Sequence, residues 1–225
     1  MMRIVVISDT HGQHDALAIP PGDILIHAGD FTMVGDLPEL KAFNAFLGEL
    51  DHPHKIVIAG NHDFCFEREP NTARAKLTEA LYLEDEEVLI EGIRIYGSPW
   101  QPWFFNWAFN LPRGPEIRAK WEQIPVGTDI LITHGPPAGI LDHTDWNEQV
   151  GCQDLLDIVQ KIKPRVHIFG HIHEARGVHP TPETLFLNAC VLDSSYEPAG
   201  SALILDYDPK PGGQIRRVKP EEGRA

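Results

Sequence analysis

Five short runs rich in Ile, Val and Leu, at residues 3–7, 23–27, 55–59, 129–133 and 165–169, limit what this chain can fold into more than any other feature. Each is too short for a helix and has the near-continuous apolar character of a strand buried on both faces. Longer segments between them read as helices. Asp36 caps one that runs to Leu50, with Pro38 tolerated in the first turn. Asn71 or Thr72 caps another to about Leu81, Gly114-Pro115 opens a third that ends before Pro125, and residues 152–163 form a fourth, stopped by Pro164. Residues 87–90 and 93–97 flank Glu91-Gly92, a two-residue hairpin signal. From Thr184 onward, 185–187, 202–206 and 214–218 read as strands, and the tail beyond about 219 as frayed. Strand–helix alternation followed by a strand-rich end predicts an α/β layered fold with mixed sheets. With no repeat, linker or low-complexity tract, 225 residues suit a single domain over 1–225.

Each of the five runs leads within a few residues into polar, metal-philic side chains. They are followed in turn by Ser8-Asp9-Thr10-His11-Gly12, Gly29-Asp30, Gly60-Asn61-His62-Asp63, His134-Gly135 and Gly170-His171-Ile172-His173. If the strands are neighbours, these blocks converge at strand carboxyl ends, where α/β sheets bind ligands. Gly12, Gly29, Gly60, Gly135 and Gly170 allow the turns and close approaches that such convergence needs. Carboxylate and imidazole without thiolate suit divalent Mn, Fe, Zn or Mg. In Asp9-x-His11 and His171-x-His173, an extended backbone sends both side chains the same way. Taken singly, a His or Asp at a strand end is more often a cap or a surface group; the weight lies in five ordered blocks.

Together the blocks Asp9-x-His11, Gly29-Asp30, Gly60-Asn61-His62-Asp63, His134 and Gly170-His171-x-His173 resemble the calcineurin-like metallophosphoesterase superfamily, in that family's order. Residues 26–32, 98–105, 129–137 and 167–174 further resemble its metallophosphoesterase-domain-containing branch, related to class III cyclic-nucleotide phosphodiesterases. The resemblance implies a four-layer α-β-β-α sandwich with two mixed β-sheets and a dinuclear metal centre, with Mn or Fe favoured over Zn or Mg. It assigns Asp9, His11, Asp30 and His173 to one ion and Asp30, Asn61, His134 and His171 to the other, with Asp30 as the bridge. His62 stands nearby without binding metal and serves with Asp30 in catalysis. The activity implied is hydrolysis of a small phosphodiester, such as a cyclic nucleotide. A hydroxide bridging the ions attacks phosphorus and His62 protonates the leaving oxygen. A phosphomonoesterase or protein phosphatase on the same centre, and a non-catalytic scaffold of the same fold, are the alternatives.

Composition narrows the partners. A formal net charge of −14 repels long polyanions, so no long nucleic acid is expected and a small phosphoester or nucleotide substrate is. Cys65, Cys152 and Cys190 show no C-x-x-C spacing and read as free thiols. The first apolar run meets Ser8-Asp9 too early for a signal peptide and no stretch reaches membrane-spanning length, so the expectation is a cytoplasmic protein without a membrane span. There is no G-x-x-x-x-G-K loop, G-x-S-x-G elbow or H-E-x-x-H helix. The aromatic stretch 99–107 walls the pocket, with Trp100 and Trp103 as substrate contacts on which a base or aryl group stacks. His143 and His14 are further loop histidines that could reach substrate. His27, inside an apolar run, reads as a core or ligand-orienting residue, and Asp63 as a group that orients a ligand or a helix terminus.

Overall fold

The computed structural model describes residues 1–210 and 212–218, so the tail beyond 219 lies outside the described residues. In chain order the strands are β1 (Met2–Ile7), β2 (Ile24–His27), β3 (His54–Val57), β4 (Leu81–Tyr82), β5 (Glu86–Ile90), β6 (Ile93–Ser98), β7 (Gln101–Pro102), β8 (Asn110–Leu111), β9 (Ile130–Thr133), β10 (Val166–Phe169), β11 (Gly177–Pro180), β12 (Leu185–Asn188), β13 (Leu203–Tyr207) and β14 (Ile215–Val218). The helices are α1 (Leu37–Gly48), α2 (Phe64–Arg68), α3 (Pro70–Lys76), α4 (Pro115–Trp121) and α5 (Gln153–Ile162). Two six-stranded sheets, ordered β14-β13-β1-β2-β3-β4 and β11-β12-β10-β9-β6-β5, carry the fold. Both are mixed. β1 to β4 pair in parallel with β13 and β14 added antiparallel. In the other sheet β6, β9, β10 and β12 pair in parallel, with antiparallel β5 and β11 at its edges.

The period-2 alternation of the strands builds the layers. Ile4, Val6, Ile24, Ile26 and Ile56 of the first sheet meet Ile95, Ile130, Ile132, Val166 and Ile168 of the second in one apolar core. The residues between them point outward. Val5, Ile7, Leu25 and Val57 pack under α1 with its Leu40, Phe43, Phe46 and Leu47. Tyr96, Leu131 and Phe186 pack under α4 and α5 through Ile117, Trp121, Leu155, Ile158 and Val159. The result is the expected α-β-β-α sandwich. Each fully buried Ile contributes on the order of 1.5–3 kcal/mol of transfer free energy, so the inter-sheet layer is a large source of stability.

Local signals account for most element ends. Asp36 accepts from the Glu39 N–H at 2.9 Å and Glu39 reaches back to the Asp36 backbone, a reciprocal capping box ahead of α1. Glu91 (φ 50°) and Gly92 (φ 82°) both lie in the left-handed region, as a two-residue hairpin between β5 and β6 requires. The second expected helix is corrected: α3 begins at Pro70 and stops at Lys76, and Leu81–Tyr82 is a strand on β3. The stop is tertiary, because Asn44 of α1 accepts from the Thr78 and Glu79 N–H groups and pulls the chain out of the helix. The helix α2 and the strands β7, β8 and β11 were not foreshadowed by periodicity; all are seven residues or shorter. Among the described residues no helix is long and apolar enough to cross a membrane.

Candidate metal centre

Because β1, β2 and β3 run parallel, the segments that leave them emerge on one edge, and those leaving β9 and β10 emerge on the matching edge of the other sheet. The two edges are sewn together: Ser8 forms a parallel bridge to Cys190, Val191 N–H donates to Ser8 O at 3.0 Å, and His171 N–H donates to Asp9 Oδ2 at 3.0 Å. Asp9, His11, Asp30, Asn61 and His134 converge there in burial, with His171 and His173 at the rim.

Within-segment alternation does not aim these side chains. Asp9 (φ 57°), His11 (φ 42°), Asp30 (φ 56°) and His171 (φ 69°) all occupy the left-handed region, so the expectation of extended Asp9-x-His11 and His171-x-His173 is corrected. Left-handed turns at the strand ends swing each side chain inward, at a cost of roughly 1–3 kcal/mol per residue. Pairs form across segments instead, with His11 Nε2 3.3 Å from His173 Nε2 and Asp9 Oδ1 3.5 Å from His173 Nε2. Glycine is obligatory at Gly170, where any Cβ would collide with Asp9 Oδ2 and the Ser8 side chain, and at Gly29, where it would stand 2.6 Å from His134 Nδ1. Gly135 has no such contact and its φ is not positive, so its expected role is not met.

Three groups of side chains each bring their donor atoms within 4.8 Å of one another: Asp9, His11 and His173; His11, Asp30 and His62; and Asp30, His134 and His171. Asn61 joins the last, its Oδ1 2.9 Å from His134 Nε2, which is 3.3 Å from Asp30 Oδ2. Ring tautomers are set from behind. The Nδ1 of His134 faces Ala28 O at 3.0 Å and that of His173 faces Asp193 O at 2.8 Å; an Nδ1–H donated to each carbonyl leaves both Nε2 lone pairs on the site. His62 is held the same way, Nδ1 to Met33 O at 2.6 Å, with its ring stacked on Trp107 at 4.2 Å.

The electrostatics favour cations here. Burial by itself would raise Asp9, yet the His173 hydrogen bond and the neighbouring His134 hold its carboxyl well below the usual range; Asp30 is lowered against its burial by His134. Burial would lower His134 and His173, but the Asp30 charge raises the first to about 9, and the Asp9 hydrogen bond and charge raise the second to about 9. Burial dominates at His11 and His171, lowering them to about 4 and about 3. Two ionised carboxylates thus sit in the interior, and among the described residues their ion pairs are with histidines alone. Hard oxygen and imidazole donors converging on two buried carboxylates, whose ion pairs are with histidines that can give up their protons rather than with Lys or Arg, fit divalent ions.

Several expectations about the surroundings are corrected. Trp100 is a packing residue: its indole N–H donates to Asp85 at 2.9 Å, Lys120 lies over its ring at 4.2 Å, and it is not among the residues lining the site. His143 pairs weakly with Asp142 at 3.6 Å and is also outside that lining. His14 is buried against Phe43 and Phe46 of α1. Trp103 lines an adjoining cavity. His27 is a core residue that reaches back to Thr10 Oγ1 at 3.0 Å.

Three residues that periodicity did not single out complete the site. Tyr196 sets its ring edge-on to His11 at 4.8 Å and near His173 at 5.3 Å. Cys190 donates its S–H to Asp9 Oδ2 at 3.1 Å, and all three cysteines are free, as expected. Asp63, the looser expectation, receives the N–H groups of Asp30, Gly60 and Thr32 and the Thr32 hydroxyl, tying the second block to the third; burial and the Asp30 charge push it up to about 7.

The sequence model of the family described as Calcineurin-like phosphoesterase matches residues 2–175. The chain is 47% identical over 229 residues to human metallophosphoesterase domain-containing protein 1, covering 91% of this chain and 70% of that one. It is 41% identical over 233 residues to a UPF0046 protein of Caenorhabditis elegans, covering 94% and 83%. Among solved structures, TT1561 of Thermus thermophilus shares the fold with a TM-score of 0.59 at 16% identity, covering 83% of this chain and 88% of that one. By this match and these relatives the chain belongs to the calcineurin-like phosphoesterase family, which implies metal-dependent phosphoester hydrolysis.

Proposed function

We propose that the protein hydrolyses a small phosphodiester, cyclic nucleotides included, at a dinuclear metal centre held by Asp9, His11, Asp30 and His173 on one side and Asp30, Asn61, His134 and His171 on the other. The observation that carries this reading is the place of Asp30 Oδ2 between the two sets, 3.8 Å from His11 Nε2 on one side and 3.3 Å from His134 Nε2 on the other, where a bridging carboxylate would stand. Two divalent cations bound there, with Mn or Fe the first choice, supply Lewis acidity to phosphoryl oxygens and acidify a water.

The remaining work belongs to the chain. Asp30 presents Oδ2 to His134 while its Oδ1 accepts the His62 N–H at 2.7 Å, which fixes both the carboxylate and the segment that carries His62. Asn61 adds an oxygen donor without a charge, leaving the centre more attractive to an anion. His62 lines the cavity with Nδ1 engaged by Met33 O, so Nε2 is placed to hold a proton for the leaving oxygen. Phe104, Trp107 and Tyr196 are among the residues that wall a cavity of about 220 Å³. A cavity of that size suits a small substrate, and the net charge of −14 disfavours a long polyanion.

The test is a panel of mono-, di- and cyclic phosphates with Mn, Fe, Mg and Zn, run beside His171→Ala, Asp30→Asn and His62→Asn. The expected result is preferential cleavage of diesters. His62→Asn should retain metal and lose turnover most on poor leaving groups. A preference for monoesters would replace this reading with a phosphatase, and failure of the purified protein to take up Mn would replace it with a scaffold.

A further inference from the structure

Glu39 of α1 accepts more hydrogen bonds than a capping box calls for. The box needs only the bond from the Asp36 N–H, and that is the longest at 3.4 Å. The shorter ones come from the loop ahead of the helix: Met33 N–H to Oε1 at 3.0 Å, and Val34 and Gly35 N–H to Oε2 at 2.9 and 3.0 Å. Consecutive N–H groups from Met33 to Asp36 thus close around one carboxylate, an anion-binding nest filled by the chain itself.

The loop gathered in this way is clamped to the His62 segment. The Thr32 hydroxyl donates to Asp63 Oδ1 at 2.6 Å, and at Gly35 (φ 70°) any Cβ would collide with Phe64 N and His62 O. Between these clamps the Met33 carbonyl stands 2.6 Å from His62 Nδ1. A carbonyl only accepts, so Nδ1 carries the hydrogen of that bond. The Met33 C=O and the Val34 N–H belong to one peptide group, whose N–H ends on Glu39 Oε2 and whose C=O ends on His62. Carboxylate, peptide and imidazole therefore form one chain of hydrogen bonds. A carboxylate at the N–H end polarises the peptide and strengthens its carbonyl as an acceptor at the other end. Trp107, stacked on the His62 ring at 4.2 Å, restrains the plane of the ring but not which edge meets the cavity; the bond to Met33 decides that.

We infer that Glu39 is a positioning residue for the reaction, turning the Nε2 edge of His62 toward the cavity through the Met33–Val34 peptide. The inference rests on the reading of His62 as the leaving-group acid. Glu39→Ala should lower kcat on a diester with a poor leaving group on the order of tenfold, part of the hundredfold or more that a positioned acid supplies, with KM and Mn affinity within about twofold. Glu39→Gln keeps one acceptor oxygen and the capping bond, and should recover part of the loss. Asp36→Ala removes the other half of the box and should lower thermal stability while kcat stays within about twofold. Magnetic resonance of the full chain loaded with diamagnetic Zn gives a readout apart from turnover. The His62 Nδ1–H, identified by its absence in His62→Asn, and the Val34 N–H should both move upfield in Glu39→Ala. Combining Glu39→Ala with His62→Asn should cost no more kcat than His62→Asn alone. Additive losses in that pair, an equal loss of kcat in Asp36→Ala, or an unmoved His62 Nδ1–H overturns the inference and spares the acid. Full turnover in His62→Asn would instead strike the acid reading, and the part of Glu39 in the reaction with it.

Discussion

The inter-sheet core and the loop edge above it are made by the same strands and obey opposite rules. In the core, residues such as Ile4, Ile26, Ile132 and Ile168 are buried in regular backbone within one apolar cluster. A few residues further along the same strands, Asp9, Asp30 and His171 are held in left-handed backbone, and Asp9 and Asp30 keep buried charges. The lesson is a division of labour: local preferences are met in the core, and backbone strain and buried charge are tolerated where a ligand is to be held.

That contrast can be broken by experiment. Asp30→Asn removes the shared carboxylate and should lower kcat/KM on a phosphodiester by on the order of 10³-fold, with far-UV circular dichroism unchanged. Ile132→Ala should do the reverse, costing about 2–5 kcal/mol in urea unfolding while kcat of the folded fraction stays near wild type; comparable catalytic losses in both would erase the distinction. Asp63→Asn turns one of the two carboxylate oxygens, which accept two donors each, into an N–H donor. Mn affinity measured by calorimetry should fall about ten- to one hundredfold, because the group orients ligands rather than binding metal.

Two smaller effects sharpen the comparison. In the metal-free protein His134 and His173 lie at about 9, so both rings carry a proton at pH 7 and must give it up at Nε2 to coordinate. Mn uptake at pH 7 should therefore release protons into weak buffer, and affinity should weaken as pH falls below about 9; uptake without proton release would contradict the upward shift of the two rings. Glu91→Asn, at the left-handed first position of the β5–β6 hairpin, should raise thermal stability by about 0.5 kcal/mol, with no effect on metal binding.

Much of this was legible in the chain. The five apolar runs became β1, β2, β3, β9 and β10 to within a residue or two, and the blocks behind them met at one edge, because strand length and apolar run length are local quantities. The error at α3 arose where a partner distant in sequence, Asn44, took over the backbone of Thr78 and Glu79. Trp100 and Trp103 show the same limit. They are three residues apart in one aromatic stretch, yet Trp100 is anchored by Asp85 and Lys120 and Trp103 stands on a cavity wall.

What the amino-acid order determined alone is the chemistry available and the order in which the strands present it: carboxylate, imidazole and amide behind short apolar runs, glycine where a Cβ would collide. Tertiary structure decided the aim of each side chain. The left-handed turns at Asp9, His11, Asp30 and His171, the carbonyls of Ala28 and Asp193 that orient His134 and His173, and the approach of Tyr196 and Cys190 all depend on contacts between segments far apart in the chain. Backbone strain and hydrogen-bond direction are fixed only when the two sheets pack, so no periodicity within a single segment can encode them.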